Sequence, residues 1–166
     1  KIWRHILNSA GIERFPQYHF DMVRLGIGLH GISAAHANLQ PVSSFKTYIS
    51  SIRDVPEGQS IGYGRRSYTT RPSRIAVIPV GYADGLNRHL SNRIGEVYVK
   101  DQRVPIIGNI CMDTCMIDVT DTNATIGDEV EIFGKHIPVT ELSDKLGTIP
   151  YEILTGISFR VKRIYY

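Results

Sequence analysis

Gly95-Glu96-Val97-Tyr98-Val99-Lys100-Asp101-Gln102-Arg103-Val104-Pro105-Ile106-Ile107 is the stretch on which the fold turns. Apolar and polar residues alternate through Gly95 to Val99 and again around Val104, the period of two expected of half-buried strands. Asp101-Gln102 is the turn signal between them. The same pattern of short alternating segments extends in both directions. Phe45 to Ile52, Ser73 to Val80, Thr114 to Val119, Glu129 to Phe133 and Gly156 to Tyr165 read as strands. Pro56-Glu57-Gly58 and Ile126-Gly127-Asp128 read as turns. Thr140 to Leu146, opened by Thr140 and closed by Gly147, reads as the one helix of this half. The expectation is a mainly β, antiparallel domain.

Upstream of residue 31 the character differs. Trp3-Arg4-His5-Ile6-Leu7-Asn8-Ser9-Ala10-Gly11 is an apolar run meeting a turn or helix start. Asn8 and Ser9 read either as a helix cap or, for Ser9, as a hydroxyl and amide offered to an anion. Phe20 to Gly31 is apolar, glycine-rich and interrupted by Arg24, as in a buried parallel strand or an edge strand whose arginine reaches water. Residues 31 to 44, with Pro41 and Ser43-Ser44, read as a linker or loop.

The chain has 166 residues, 42% of them hydrophobic and 21% charged, with a net charge of +3. That is ordinary for a soluble globular protein. The basic residues are dispersed, which argues against nucleic-acid and membrane surfaces as partners. No apolar run approaches the ~20 residues of a membrane span, and no signal peptide opens the chain. A start at Lys1 rather than methionine is expected of a piece cut from a longer protein. Cys111 and Cys115 are too few for a disulfide framework. On a strand their Cα atoms would stand ~13 Å apart, beyond disulfide reach. They read as reduced thiols of a cytoplasmic protein, and no ligand set for a metal accompanies them.

Gln59-Ser60-Ile61-Gly62-Tyr63-Gly64-Arg65-Arg66-Ser67-Tyr68 sets a tyrosine between two glycines and beside two arginines. Glycines permit positive φ or close approach, and a neighbouring cation lowers a phenol's pKa. Tyr63 is therefore either a general acid/base or a tyrosine packed beside a hairpin turn. Gly81-Tyr82-Ala83-Asp84-Gly85 puts a second tyrosine on a glycine-flanked loop. Gly108-Asn109-Ile110-Cys111-Met112-Asp113 enters a strand through a turn whose amides can bind a carboxylate.

Taken together, His5-x-x-Asn8-Ser9-Ala10, Met22-Val23-Arg24-x-Gly26-Ile27, Gly62-Tyr63-Gly64, Gly81 to Gly85, Cys111-Met112-Asp113 and Tyr151-Glu152 resemble the C-terminal part of bacterial alanine racemases. The resemblance spans essentially the whole chain. It implies that residues 1–42 are the cofactor-binding end of a (β/α)8 barrel and residues 43–166 the family's C-terminal β domain. It also implies pyridoxal 5'-phosphate as cofactor, alanine as substrate, a homodimer with shared active sites, and D-alanine supply for peptidoglycan. Arg24 resembles the arginine facing the pyridine nitrogen, with His5 as its support. Ser9, Gly26 and Ile27 resemble residues around the cofactor phosphate, and Tyr151 the tyrosine whose hydroxyl reaches it. Tyr63 resembles the catalytic tyrosine, Met112 the residue whose amide holds the substrate carboxylate, and Tyr82 the tyrosine of the substrate entry.

Racemisation needs acid/base groups on both faces of a planar carbanion. The family's second group is a Schiff-base lysine, and nothing in residues 1–20 matches its motif. The expectation is thus an incomplete enzyme, inactive as an isolated chain. Three other readings stay open: a basic-amino-acid decarboxylase of similar plan, a dimerisation or scaffold domain of a racemase–ligase fusion, and a racemase for serine or several amino acids.

Overall fold

The computed structural model describes residues 2–35 and 38–165, so residues 36 and 37 of the expected linker lie outside it. The chain forms two compact units, Lys1–Ser44 and Phe45–Tyr166.

In the first unit, helix α1 (Ser9–Arg14) starts where Asn8 caps it, the Asn8 side-chain oxygen accepting from the Gly11 amide at 3.0 Å. Single 3-10 turns follow at Pro16–Tyr18 and Ile27–His30. Two extended segments run side by side in the same direction: the Asp21 amide donates to Arg4 O at 3.2 Å and the Arg24 amide to Leu7 O at 2.8 Å. Among the described residues these bonds do not amount to a strand, so neither the buried parallel strand nor the edge strand left open for Phe20 to Gly31 is formed, although Arg24 is exposed. A parallel strand is buried by neighbours on both sides and on both faces, and here one neighbour makes two bonds. Met22, Leu25 and Leu29 are correspondingly exposed, and among the described residues of this unit only Leu7 and Ile27 are buried apolar side chains.

Among the described residues the second unit has nine strands: β1 (Phe45–Tyr48), β2 (Ser51–Val55), β3 (Ser60–Ile61), β4 (Ser67–Tyr68), β5 (Ser73–Ile78), β6 (Glu96–Val99), β7 (Gln102–Ile107), β8 (Cys115–Asp118) and β9 (Glu129–Phe133). Seven form one antiparallel sheet in the order β1-β9-β6-β7-β8-β5-β2, and β3 pairs with β4 apart from it. The sheet's two edges, β1 and β2, are consecutive in sequence and separated only by Ile49 and Ser50. Such a sheet must curl until its edges come together. The link is bonded to both sides, Ile49 to Asp128 O and Ser50 to Val77 O. The single strand expected over Phe45 to Ile52 is therefore two, because the chain crosses there from one edge to the other.

Alternation does the rest. Val97 and Val99 of β6, Val104 and Ile106 of β7, and Cys115 and Ile117 of β8 face one core. Each fully buried branched side chain contributes about 1.5–3 kcal/mol. The β6–β7 turn is Lys100-Asp101, both at positive φ (47° and 59°), one residue earlier than the composition suggested. Two left-handed central residues match the twist of a tight hairpin. Helix α2 (Val139–Leu146) closes at Gly147 (φ 65°) as expected. A second helix, α3 (Pro150–Thr155), was not expected; Pro150 occupies its first turn, where a missing N–H costs nothing. Leu142 and Ile153 seat the two helices on the core.

Residues 156–165 are not a strand. Arg163 donates to the carbonyls of Ile157, Ser158 and Val161, so side-chain bonds occupy acceptors that a ladder would need. The β-like composition there finds no free sheet edge. Cys111 also lies outside any strand, in a turn closed by its amide on Thr114 O at 2.9 Å. The strand argument against a disulfide therefore falls away, yet both thiols are free. Burial pushes the Cys115 thiol up to about 12, with Cys111 a lesser cause.

Candidate functional site

Tyr63 stands at the tip of the β3–β4 hairpin, 79% exposed. Gly62 (φ 72°), Gly64 (φ 78°) and Arg65 (φ 48°) carry the chain through the left-handed region around it. A Cβ on Gly62 would come within 2.6 Å of the Met116 methyl. The hairpin is held from below. Asn109, 9% exposed, donates from Nδ2 to the Tyr63 carbonyl at 2.8 Å. Its Oδ1 accepts from Asn92 Nδ2 at 3.2 Å, and Asn92 Oδ1 accepts from Ser67 Oγ on β4 at 2.8 Å. The chain of bonds thus leaves one limb of the hairpin and returns to the other. Arg65 and Arg66 are exposed.

The loop Gly81–Gly85 is docked on the same strand-entry segment. The amides of Tyr82 and Ala83 donate to the carbonyls of Cys111 and Met112, each at 3.0 Å. The approach is so close that a Cβ on Gly81 would lie 2.3 Å from both carbonyl oxygens. Asp84 is buried; its Oδ2 accepts from the Gly81 amide at 2.8 Å and its Oδ1 from Arg160 Nε at 2.7 Å. The other arm of Arg160 donates to Asp113 Oδ1 at 2.5 Å. These hydrogen bonds, to Asp84 first and Asp113 second, raise the Arg160 pKa and keep the guanidinium charged. Met112 is exposed, and its N–H has no acceptor among the described residues. Tyr82 lines a cleft of about 450 Å³ together with Gly85, Asn87, Arg88, Glu152, Ile153 and Gly156. Tyr151, on the first turn of α3, is exposed next to that wall.

In the first unit Ser9 is buried, and its Oγ accepts from the amides of Gly26 at 2.9 Å and Gly28 at 3.2 Å. A hydroxyl has two acceptor sites and one donor. With both acceptor sites occupied, the Ser9 hydrogen is left to donate, which suits an anion such as a phosphate. Arg24 is exposed and gives one guanidinium hydrogen bond to Ile6 O at 2.9 Å; that bond goes to Ile6 and not to His5, which is exposed.

Of the residues singled out in the sequence, Tyr63, Tyr82 and Met112 are brought to one segment, Asn109–Asp113. Ser9 and Gly26 are brought together in the first unit. Asn109 and Asp84 lie inside motifs visible in the sequence but carry no role there, and Arg160 lies in none of them. Asp84 sat inside a recognised motif, but only the folded chain shows that it is buried and paired. Arg160 was hidden by the strand reading of its neighbourhood.

A family model for the alanine racemase C-terminal domain matches residues 42–165.

The chain belongs to the alanine racemase family.

It is 49% identical, over 98% of its length, to alanine racemase 2 of Caldanaerobacter subterraneus subsp. tengcongensis, and covers 44% of that protein. It is 45% identical to the alanine racemase of Methanococcus maripaludis, covering 46% of it. A crystal structure of alanine racemase from Bartonella henselae with covalently bound pyridoxal phosphate superposes with a TM-score of 0.93 at 38% identity, over 100% of this chain and 47% of that one. The chain therefore spans about half the length of the alanine racemases it matches. The antiparallel, curled β architecture is that of the family's C-terminal domain.

Proposed function

We propose that this chain is the C-terminal half of a pyridoxal-phosphate-dependent alanine racemase, and that it carries one of the two acid/base groups. The observation that supports this reading is the convergence on Asn109–Asp113: Asn109 holds Tyr63, while the Cys111 and Met112 carbonyls hold the Tyr82 loop. In the complete protein Tyr63 takes the α-proton from L-alanine, or returns it, acting at the partner subunit's cofactor. The Met112 N–H donates to the substrate carboxylate and Tyr82 borders the way in. When bound, the cofactor supplies an electron sink that makes the Cα–H bond acidic. Ser9, braced by Gly26, would hold its phosphate together with Ile27. Arg24, always protonated, donates to the pyridine nitrogen with His5 behind it.

A lysine outside residues 1–166 serves the opposite face, so the chain by itself does not racemise alanine. The product feeds peptidoglycan synthesis in the cytoplasm, and the working form is a homodimer. The test is Tyr63→Phe in the complete racemase. Turnover from L-alanine is expected to fall by at least about 100-fold, the contribution of a positioned acid/base, while cofactor absorbance persists. Wild-type rates in both directions would remove Tyr63 from the mechanism.

A further inference from the structure

We propose that Asn109 is the positioning residue of Tyr63, an inference that rests on Tyr63 being the acid/base. The hairpin that carries Tyr63 has two pairs of facing residues, Ser60 with Tyr68 and Ile61 with Ser67, and belongs to no larger sheet. A two-stranded hairpin of this size is marginal in water. Its tip passes through two glycines, whose backbone freedom is costly to restrain. Among the described residues, the Asn109 amide is the one group outside the hairpin that hydrogen-bonds to residues 62–66.

Asn109 is itself fixed. It is buried, Asn92 donates to its oxygen, and the Asn92 amide donates to Gly108 O at 3.0 Å. The next amide, of Ile110, donates to the buried Ser91 Oγ at 3.0 Å. A rigid side chain thus grips the main chain of an otherwise loose residue. It does so from the segment that also carries Met112, so one element sets both the proton-transfer group and the amide proposed to hold the substrate. The grip is on the carbonyl and leaves the phenol free to reach substrate. Asn109 acts through Tyr63 and touches no reacting atom.

The experiment uses the complete, cofactor-loaded racemase with Asn109→Ala, Asn109→Asp, Ser67→Ala and Tyr63→Phe. Amide hydrogen exchange across residues 62–66 is read beside kcat and KM for alanine and the unfolding midpoint. Asn109→Ala is expected to speed exchange at 62–66 and lower kcat about tenfold, with KM and the midpoint little changed. Asn109→Asp keeps an acceptor for Asn92 but cannot donate when ionised, and should behave like the alanine variant. If an Asn109 variant fails to fold, Ser67→Ala, which cuts only the outer link, should give a smaller change of the same kind. Unchanged exchange at 62–66 in folded Asn109→Ala, or faster exchange with unchanged kcat, overturns the positioning role. The same holds for an Ser67→Ala variant unchanged in both when the Asn109 variants do not fold. Full activity of Tyr63→Phe would instead sink the acid/base reading beneath it, leaving the exchange result as a statement about the hairpin alone.

Discussion

Glu131 is a residue whose role only its surroundings disclose. It lies on β9, buried, where an acid is usually unwelcome. Burial pushes its carboxyl up, but the amide of His136 (2.7 Å), the His136 ring (3.2 Å) and the amide of Ile137 (3.1 Å) together hold it below the usual value. The His136 ring also stacks on Tyr98, centroids 3.8 Å apart. A depressed carboxyl contributes stability above its unfolded pKa, and that contribution is lost as pH falls through the lower, folded value. Urea unfolding of wild type is therefore expected to weaken from about pH 4.3 downward. Glu131→Gln should be less stable at pH 7 and lose less on acidification. Glu131→Ala takes the acceptor from the His136 amide and from the buried Ile137 amide and should cost about 1–3 kcal/mol. The cysteines give a second test at this scale. In the folded protein iodoacetamide should label Cys111, which is half-buried, and spare Cys115, which is buried and raised to about 12. Both should react in urea.

At the scale of elements, the Tyr63 hairpin and the Tyr82 loop depend on glycines in different ways. Gly62 needs positive φ and also has no room for a side chain. With φ 72° and ψ −174°, Gly62→Ala should cost about 1–3 kcal/mol from the backbone alone, and more if the Met116 methyl cannot move aside. Gly81 is extended, and what excludes a side chain there is the backbone of Cys111 and Met112. Arg160 joins this loop to Asp113, so Arg160→Ala should raise amide exchange in residues 81–85 and 111–113 ahead of the rest of the sheet. Uniform exchange across the domain would show that the backbone bonds alone hold the loop. The glycines, tyrosines and Asp84 were all visible as motifs. That the Tyr63 and Tyr82 motifs meet on Asn109–Asp113 was not, because Tyr82 lies 19 positions after Tyr63 and Met112 lies 30 after Tyr82.

For the whole molecule, the division of the core is the governing fact. The large apolar cluster belongs entirely to residues 45–166. Residues 2–35 leave Ile2, Trp3, Ile6, Phe20, Met22, Leu25 and Leu29 largely exposed. Residues 45–166 produced alone should unfold cooperatively in urea, whereas residues 1–44 alone should show no cooperative transition. A cooperative transition in the short piece would mean that its few buried side chains suffice.

The alternation of apolar and polar residues determined, without coordinates, that the larger part is an antiparallel β domain, since a period of two is a local property of the chain. Glycine-flanked turns, also written locally, marked Tyr63 and Tyr82, whereas Met112 was marked by the resemblance to alanine racemases. Tertiary structure alone decided that Phe45 to Ile52 splits between the two edges of one sheet, that residues 156–165 form no strand, and that Asn109 and Arg160 hold the tyrosine loops in place. Each of those outcomes depends on which distant edge, carbonyl or carboxylate lies opposite, and a hydrogen bond is settled by position in space, not by distance along the chain.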